Sequence, residues 1–201
     1  MRKVPFFSIV LFLFIFSAAF AVDYSIQGKA TVPLGRKSHT YTVLRVLDGD
    51  TFKLSNGQNL KLAGVNAPEL HDTPKLTQEA KKFGKDIWAY RTFGGDAHKL
   101  GESVLTMANY KIQLESDAED FDEEGNLFAY VFVSVPKLKE GMAPDNEVFF
   151  NQENGYLIFL NAYLVKMGFA ELVKVRGGKY QDLLSKLENE AKTNKRGIWG
   201  S

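Results

Sequence analysis

Three side chains with oxygen donors, Asp50, Asn66 and Glu69, follow two apolar, strand-like segments in the first half of the chain. Asp50 stands in Asp-Gly-Asp-Thr, directly after residues 44–47, and the other two stand in Asn-Ala-Pro-Glu. If the intervening segments pair as a meander, the three side chains come within reach of one another. Oxygen donors at the ends of neighbouring strands can hold a hard cation and activate a water molecule. The pattern therefore predicts a site for metal-assisted hydrolysis.

The elements that must position this site are short strands. Residues 40–47 are rich in Thr, Tyr, Val and Leu, Asp48-Gly49-Asp50 reads as a turn, and residues 51–54 resume the strand pattern. An Asn-Gly pair at 56–57 predicts a hairpin that leads into a third strand at 59–65. Together these segments predict a three-stranded meander. Further strands are predicted at 111–115, 127–133 and 170–175.

Helical patterns lie between and after these strands. A helix is predicted from Thr77 through Tyr90, with Phe93-Gly94-Gly95-Asp96 as its break, and others at 97–109, 157–167 and 180–194. Gly168 stands where a glycine commonly ends a helix. Five or six short strands with helices between and after them predict an α+β domain built on a small barrel. The insert 136–152 is a loop or hairpin, and its Phe149 and Phe150 fit either an exposed contact patch or a hairpin strand.

The first 21 residues have the pattern of a cleaved signal peptide. Arg2 and Lys3 precede an almost wholly apolar run, and Ala19-Phe20-Ala21 has the small-x-small form of a cleavage site. The alternative is an uncleaved membrane anchor, since the run is nearly long enough to span a bilayer. We expect a signal peptide over 1–21, an N-terminal strand or linker over 22–38, and the folded domain over 39–201. A secreted or periplasmic protein, without a membrane anchor after cleavage, is the resulting expectation.

Composition limits the chemistry and the partners. The chain contains no Cys, which excludes disulfides and thiolate metal sites. Without residues 1–21, which hold Arg2 and Lys3 but no acidic residue, 23 basic and 24 acidic residues leave a net charge of −1. Binding to a polyanion must therefore come from a local site or a bound cation rather than from bulk charge.

Five motifs in order resemble those of the staphylococcal nuclease-like (thermonuclease) family. They are Asp-Gly-Asp-Thr, Lys-Leu-Ala-Gly-Val-x-Ala-Pro-Glu, a Gly-x-x-x-Ala-Tyr strand at 125–130, an Asn-x-x-Leu-Val-x-x-Gly-x-Ala helix end at 161–170, and a terminal Gly-Ile-Trp. The resemblance covers about Thr40 to Trp199. It implies an OB-fold-type five-stranded β-barrel with about three helices, and a calcium-dependent nuclease that acts on DNA or RNA, which we expect to be a monomer.

The resemblance also assigns roles to residues. It implies that Asp50, Asn66 and the backbone carbonyl of Ala67 hold Ca²⁺, that Glu69 is the general base, and that Lys61 stands where the family has a phosphate-clamping Arg. Asn66 replaces the family's second Asp ligand and removes one negative charge, which should weaken metal binding. Lys61 keeps the charge but not the bidentate geometry of Arg. Asp48 is interpreted as a structural turn residue.

The largest departure is Asn126, which stands where the family has its second essential Arg. Loss of one preorganised donor typically costs about 10²–10³ in rate. Six carboxylates between Ser116 and Glu124 would add repulsion of a phosphodiester. Lys174 and Arg176, which stand where the family carries two nucleotide-contacting tyrosines, are a possible replacement for the missing charge.

Two functions follow from these observations. The first is an exported, metal-dependent nuclease with reduced activity. The second is a non-catalytic OB-type module that binds nucleic acid or a protein partner on the barrel face. Asn126, the acidic segment and the net charge favour the second, whereas Asp50, Glu69 and the motif order favour the first.

Overall fold

The computed structural model describes residues 39–116, 120–175 and 177–200. In chain order the strands are β1 (His39–Asp48), β2 (Thr51–Leu54), β3 (Asn59–Leu62), β4 (Val65–Asn66), β5 (Lys111–Glu115), β6 (Leu127–Val135), β7 (Phe149–Gln152), β8 (Gly155–Phe159) and β9 (Glu171–Leu172). The α-helices are α1 (Pro74–Lys82), α2 (Ile87–Met107), α3 (Leu160–Lys166) and α4 (Gln181–Thr193), and a 3-10 turn covers Gly197–Trp199. The predicted signal peptide and the segment 22–38 lie outside the described residues.

A closed five-stranded barrel forms the centre of the molecule. β1, β2 and β3 pair as the expected antiparallel meander, and β5 pairs with both β1 and β6. A parallel pairing of β3 with β6 closes the barrel. Side chains in β2 and β3 alternate between buried and partly exposed, as a strand with one face in a core requires. The α+β, OB-type barrel architecture predicted from the sequence is confirmed.

The predicted break in the first helical stretch is in the wrong place. The chain leaves α1 at Phe83 and passes Gly84, whose φ is +62°. It then enters α2 through Asp86, whose carboxylate accepts the N–H groups of Trp88 and Ala89 at 2.9 and 3.3 Å. Gly94 lies inside α2, where a Cβ would stand 2.4 Å from the carbonyl oxygen of Pro68. This glycine serves a close backbone approach and does not end the helix.

The helix predicted over 157–167 begins three residues late, because residues 157–159 form the end of β8. Leu157, Ile158 and Phe159 pair with β6 on one side and form a hairpin with β7 on the other. An apolar run of this length fits a buried strand as well as a buried helix. Here the residues form a strand because neighbouring strands offer backbone hydrogen-bond partners. The hairpin places Phe149 and Phe150 in β7 with 6% and 8% exposure, which resolves their two interpretations in favour of the strand.

The helices pack around the barrel to form one main core. Ala97, Val104 and Leu105 of α2 and Leu184 and Leu187 of α4 are fully buried in the same cluster as the barrel side chains. Each such Leu stabilises the fold by about 1.5–3 kcal/mol through removal of its surface from water. Among the described residues, no helix is long and apolar enough to cross a membrane. The rigid barrel and α2 together hold the two loops that carry Asp50 and Glu69.

Candidate functional site

Asp50 is the most buried charged residue of the predicted site, with only 1% of its surface exposed. Its Oδ1 accepts hydrogen bonds from Nζ of Lys61 at 2.6 Å and from Oγ1 of Thr51 at 2.9 Å. Its Oδ2 accepts the N–H of Ala67 at 2.9 Å. The carboxylate therefore joins the β1–β2 turn to β3 and to the backbone beside Asn66. The meander brings the two sequence motifs together as expected.

Small residues allow this close packing of the two loops against α2. A Cβ at Gly49 would stand 2.6 Å from Cβ of Ala97 and 2.7 Å from Cβ of Ala67. A Cβ at Gly94 would strike the carbonyl oxygen of Pro68 and lie 3.0 Å from that of Glu69. Real Cβ atoms do not approach so closely, so only glycine fits at either position. The sequence indicated Gly49 only as a turn residue and did not indicate Gly94 as part of the site.

Glu69 lies at the edge of the site, with its side chain 21% exposed. Its Oε1 accepts a hydrogen bond from Nζ of Lys75 at 2.5 Å. Burial alone would raise the pKa of Glu69, but the hydrogen bond and charge of Lys75, with smaller contributions from Asp48 and Lys61, hold that pKa below its usual range. Glu69 is therefore an ionised carboxylate at neutral pH, which is the state a general base requires.

Asp48, interpreted from the sequence as a structural turn residue, also interacts electrostatically with two carboxylates of the predicted site. Burial, together with the neighbouring carboxylates of Asp50 and Glu69, raises the pKa of Asp48 to about 7, although the N–H of Gly49 donates to it at 2.8 Å. The negative charges of Asp50 and Glu69 therefore disfavour ionisation of Asp48. The proximity of Asp48 to Glu69 required the folded loops and could not be read from its position in the Asp-Gly pair.

Asn66 faces carboxylates from two other elements. Its Nδ2 donates to Oε1 of Glu79 in α1 at 2.8 Å and lies 3.4 Å from Oε1 of Glu171 in β9. Burial raises the pKa of Glu79 against the opposing effect of this hydrogen bond. An Asp at position 66 would place a third negative charge beside Glu79 and Glu171, so an uncharged amide fits this surrounding better. The sequence did not indicate either glutamate.

The side chain of Asn126 is hydrogen-bonded within its own turn. Its Nδ2 donates to Oδ2 of Asp122 at 2.9 Å and to Oε2 of Glu124 at 3.3 Å, and its N–H donates to Oδ1 of Asp122 at 2.8 Å. These bonds fold the 122–126 turn, in which Gly125 has a φ of +80°. The side chain that would replace the family's Arg is thus committed to the acidic turn.

A cleft of about 530 Å³ lies beside these groups, and Lys61, Asn66 and Lys75 are among the residues that line it. Phe128, Val173 and Val175 provide apolar surface. The side chains of Asp122, Glu123 and Glu124 also line it, so the acidic turn borders the cleft. The acidic residues that we expect to repel a phosphodiester therefore do lie beside the cleft.

Lys174 lines the same cleft and is exposed, but it does not lie in a strand. The predicted strand 170–175 is shorter than expected, because only Glu171 and Leu172 pair, with β4. The argument that residues 174 and 176 share one face of a strand therefore fails. Arg176 lies outside the described residues.

The three expected cation ligands are oxygen donors, but their contacts differ: the N–H of Ala67 donates to Asp50, whereas the side chain of Asn66 donates to Glu79. Asp50 supplies a carboxylate, and Asn66 and Ala67 can supply an amide and a carbonyl oxygen, all of which suit calcium or magnesium. Within residues 39–116, 120–175 and 177–200, no group of three or more His, Cys, Asp or Glu side chains is placed to hold a metal. A cation here would rely on one carboxylate with neutral oxygens, and it would have to compete with Lys61 for Asp50.

The geometry defines a class of protein: an OB-type barrel domain with a carboxylate and lysine site in a cleft beside the β1–β2 turn. The model of the staphylococcal nuclease homologue family matches residues 59–201. The chain belongs to this family, in agreement with the resemblance read from its motifs.

Individual relatives agree with the family assignment. The chain is 30% identical over 166 residues to a protein named thermonuclease from Staphylococcus hyicus, which covers 81% of this chain and 76% of that protein. It is 31% identical over 161 residues to the SPbeta prophage-derived endonuclease YokF of Bacillus subtilis (strain 168), covering 79% of this chain and 43% of that protein. A thermonuclease of Staphylococcus intermedius is 31% identical over 115 residues, or 53% of this chain and 60% of that protein.

Proposed function

We propose that this protein is an exported, metal-dependent nuclease that hydrolyses phosphodiester bonds of DNA or RNA with reduced activity. The observation that carries the proposal is that two lysines of one cleft, Lys61 and Lys75, bind the carboxylates of Asp50 and Glu69 in a staphylococcal nuclease-type barrel. The relatives named thermonuclease and endonuclease support the same class of reaction. Calcium is the proposed ion, because all the available donors are oxygens.

In the proposed reaction Glu69 accepts a proton from a water molecule, whose oxygen attacks the phosphorus. A P–O bond to the leaving alcohol breaks, the leaving alkoxide takes up a proton from solvent water, and Glu69 then releases its proton to solvent. Asp50, Asn66 and the carbonyl of Ala67 would hold the cation, which when bound neutralises the phosphate and orients the attack. Lys61 stabilises the charge that develops on the phosphate oxygens once it leaves Asp50.

Two features of the cleft account for the proposed reduction in rate. Asn66 provides one negative charge less than a carboxylate ligand, so we expect a higher metal concentration to be needed. Asn126 is bound to Asp122 and Glu124 and offers no charge to the phosphate. The absence of one such donor costs about 10²–10³ in rate.

The test is cleavage of labelled DNA and RNA by the purified protein without residues 1–21, with and without saturating calcium. We expect slow cleavage that requires the metal and falls below detection in Glu69→Gln, because the amide cannot accept the proton. The control is Glu153→Gln, an exposed carboxylate in the β7–β8 turn, which should cleave normally. Absence of cleavage at saturating calcium and magnesium would refute the proposal.

The second candidate is a non-catalytic module that binds nucleic acid or a protein. The specific observation in its favour is the acidic turn 122–126, which occupies the cleft border and engages Asn126. A nucleic-acid module would bind single strands with a strong dependence on salt and no cleavage. A protein-binding module would show neither property, so the same assay with a salt titration separates all three outcomes.

Export and oligomeric state complete the proposal. The apolar segment before Ala-Phe-Ala supports a signal peptide over residues 1–21 and hence a secreted or periplasmic location. We expect a monomer, which size-exclusion chromatography with light scattering would test. N-terminal sequencing of the exported protein should begin at Val22.

A further inference from the structure

Lys75, a cation with no assigned role, lies in the cleft beside the proposed general base. It is the second residue of α1, after Pro74 and the N-cap Thr73, whose hydroxyl accepts the N–H of Leu76 at 3.0 Å. A proline at the first helical position and a threonine cap both favour a fixed helix start. The position of Lys75 is therefore set by the helix.

The ammonium group of Lys75 contacts carboxylates but remains accessible. Its Nζ lies 2.5 Å from Oε1 of Glu69 and 3.9 Å from Oε1 of Glu79. The side chain is 44% exposed, so a ligand in the cleft can reach it. Burial alone would lower the pKa of Lys75, but the hydrogen bond and charge of Glu69 outweigh burial and raise that pKa. Lys75 is thus a full positive charge at neutral pH.

Lys61 and Lys75 both line the cleft, and Lys75 binds Glu69. Nζ of Lys75 lies 2.5 Å from Oε1 of Glu69. A phosphate attacked by water that Glu69 deprotonates must lie within a few ångströms of Glu69. Such a phosphate would lie close to the ammonium group of Lys75, in the cleft that Lys61 also lines. Asn126, in contrast, is neutral and bound to two carboxylates of its own turn.

We propose that Lys75 is a catalytic cation of this cleft, which binds the scissile phosphate and replaces the charge missing at position 126. The proposal rests on the proposed nuclease function. In the absence of substrate the ammonium pairs with Glu69. Its three N–H donors allow it to contact a phosphate oxygen while it retains or exchanges the carboxylate.

A binding experiment separates this role from simple positioning of Glu69. In Glu69→Gln the carboxylate is gone, and Lys75 is released from its ion pair. We expect this variant to bind a fluorescein-labelled single-stranded oligonucleotide, in calcium, several-fold more tightly than the unsubstituted protein. Adding Lys75→Gln should weaken binding about tenfold and reduce the slope of log K against log salt by about 0.7, as loss of one phosphate contact to a single strand predicts.

The matched control is Lys81→Gln in the same Glu69→Gln background. Lys81 is an exposed lysine of the same helix and does not line the cleft. It should change neither the affinity nor the salt slope by a comparable amount. Equal effects of the two lysine substitutions would overturn the proposal, because they would show that Lys75 affects binding only through the net charge of the protein. Thermal unfolding of each variant checks that the fold persists.

Kinetics supply the second measurement. Lys75→Gln should lower kcat by about 10²-fold, the usual cost of one charged donor in a transition state, and Lys75→Arg should retain most of the rate. If the unsubstituted protein cleaves nothing, the nuclease proposal fails, whereas the binding comparison still decides whether Lys75 contacts phosphate. If cleavage occurs and Lys75→Gln matches Lys81→Gln in kcat, the role of Lys75 is refuted and the nuclease proposal stands.

Discussion

Asn126 shows how the neighbours of a residue decide what a substitution there can achieve. An Arg at this position would lie next to Asp122 and Glu124, which now accept hydrogen bonds from the amide. Arg pairs strongly with carboxylates, in bidentate geometry. The acidic turn would therefore hold the introduced guanidinium, and restoring the family residue alone would not restore a phosphate clamp.

We accordingly expect Asn126→Arg by itself to change the rate of cleavage less than threefold. The triple variant Asn126→Arg, Asp122→Asn, Glu124→Gln should cleave roughly 10–100 times faster than the native protein, because the guanidinium is then free to reach phosphate. Asn at 122 keeps an oxygen acceptor for the backbone of the turn. The double variant without the Arg is the control, and a full gain from Asn126→Arg alone would contradict this account.

A second carboxylate, Asp145, stabilises the insert that precedes β7. Its Oδ1 accepts the N–H groups of Glu147, Val148 and Phe149, and its Oδ2 accepts Nζ of Lys166 at 2.7 Å. Burial alone would raise the pKa of Asp145, but these hydrogen bonds outweigh burial and hold the pKa below its usual range. The charged form is thus favoured by folding.

Asp145→Asn should lower the free energy of unfolding at pH 7 by about 1–3 kcal/mol. Because the folded pKa is depressed, this difference is fully present above the unfolded pKa, near 4, and is lost as pH falls through the folded value. Urea unfolding at pH 7 and at about pH 3 measures the effect. Asp96→Asn, which removes an exposed partner of Lys99, should change stability by less than about 0.5 kcal/mol at either pH. A difference that grows on acidification would be inconsistent with this role.

At the scale of elements, α2 supports the loops that carry the residues of the proposed site. Gly94 contacts the backbone of the loop that carries Glu69, whereas nothing lies within 4 Å of a Cβ at the adjacent Gly95. The two glycines are neighbours in the same helix, so replacing either by Ala should increase helix propensity equally. They differ in the contact with the loop backbone, which only Gly94 makes. They form a matched pair for testing how precisely the loop must be held.

Gly94→Ala should lower kcat of the proposed nuclease by about 10–100-fold, because the loop backbone must shift by about 1 Å to accept the methyl group. It should also lower Tm. Gly95→Ala should leave kcat unchanged and raise Tm by about 2–4 °C, since Ala is favoured over Gly in a helix by up to about 1 kcal/mol. Steady-state kinetics and thermal unfolding measure both effects. Similar behaviour of the two variants would argue against a supporting role for Gly94.

At the scale of the whole molecule, Asn161 joins α3 to two parts of the barrel. Its side chain is fully buried. Its Oδ1 accepts the N–H of Val131 at 2.9 Å, and its Nδ2 donates to the carbonyl oxygen of Ala63 at 2.8 Å. β3 ends at Leu62 and pairs with β6 through the parallel register, so this amide bridges the region where the barrel closes.

Asn161→Leu should destabilise the protein by about 2–6 kcal/mol, because two buried backbone groups lose their partners at about 1–3 kcal/mol each. Guanidinium unfolding measures the change. Asn189→Leu on the exposed face of α4 is the control and should stay within about 0.5 kcal/mol of the native protein. A loss at Asn161 no larger than at Asn189 would mean that the bridge does not stabilise barrel closure.

The sequence by itself determined the barrel, and it predicted the main residues of the candidate site. Period-two patterns and the Asn-Gly turn predict β1 to β3, because strand alternation and turn chemistry are local properties. The motif order predicts the family, and it placed Asp50 and Glu69 in one site. Gly84 and Gly94 show the limit of such local signals. Gly84 has a positive φ between α1 and α2, whereas Gly94 lies inside α2, where it allows the backbone of Pro68 to approach closely.

Only the tertiary structure decided the state of the site. Three hydrogen-bonded pairs depend on how the loops are folded. They are Lys75 with Glu69, Asn66 with Glu79, and Asn126 with Asp122 of its own turn. The same is true of residues 157–159, which became a strand because β6 and β7 offered backbone partners. Charges and hydrogen bonds act over a few ångströms, and those distances are fixed only when the loops have packed against α1, α2 and β6.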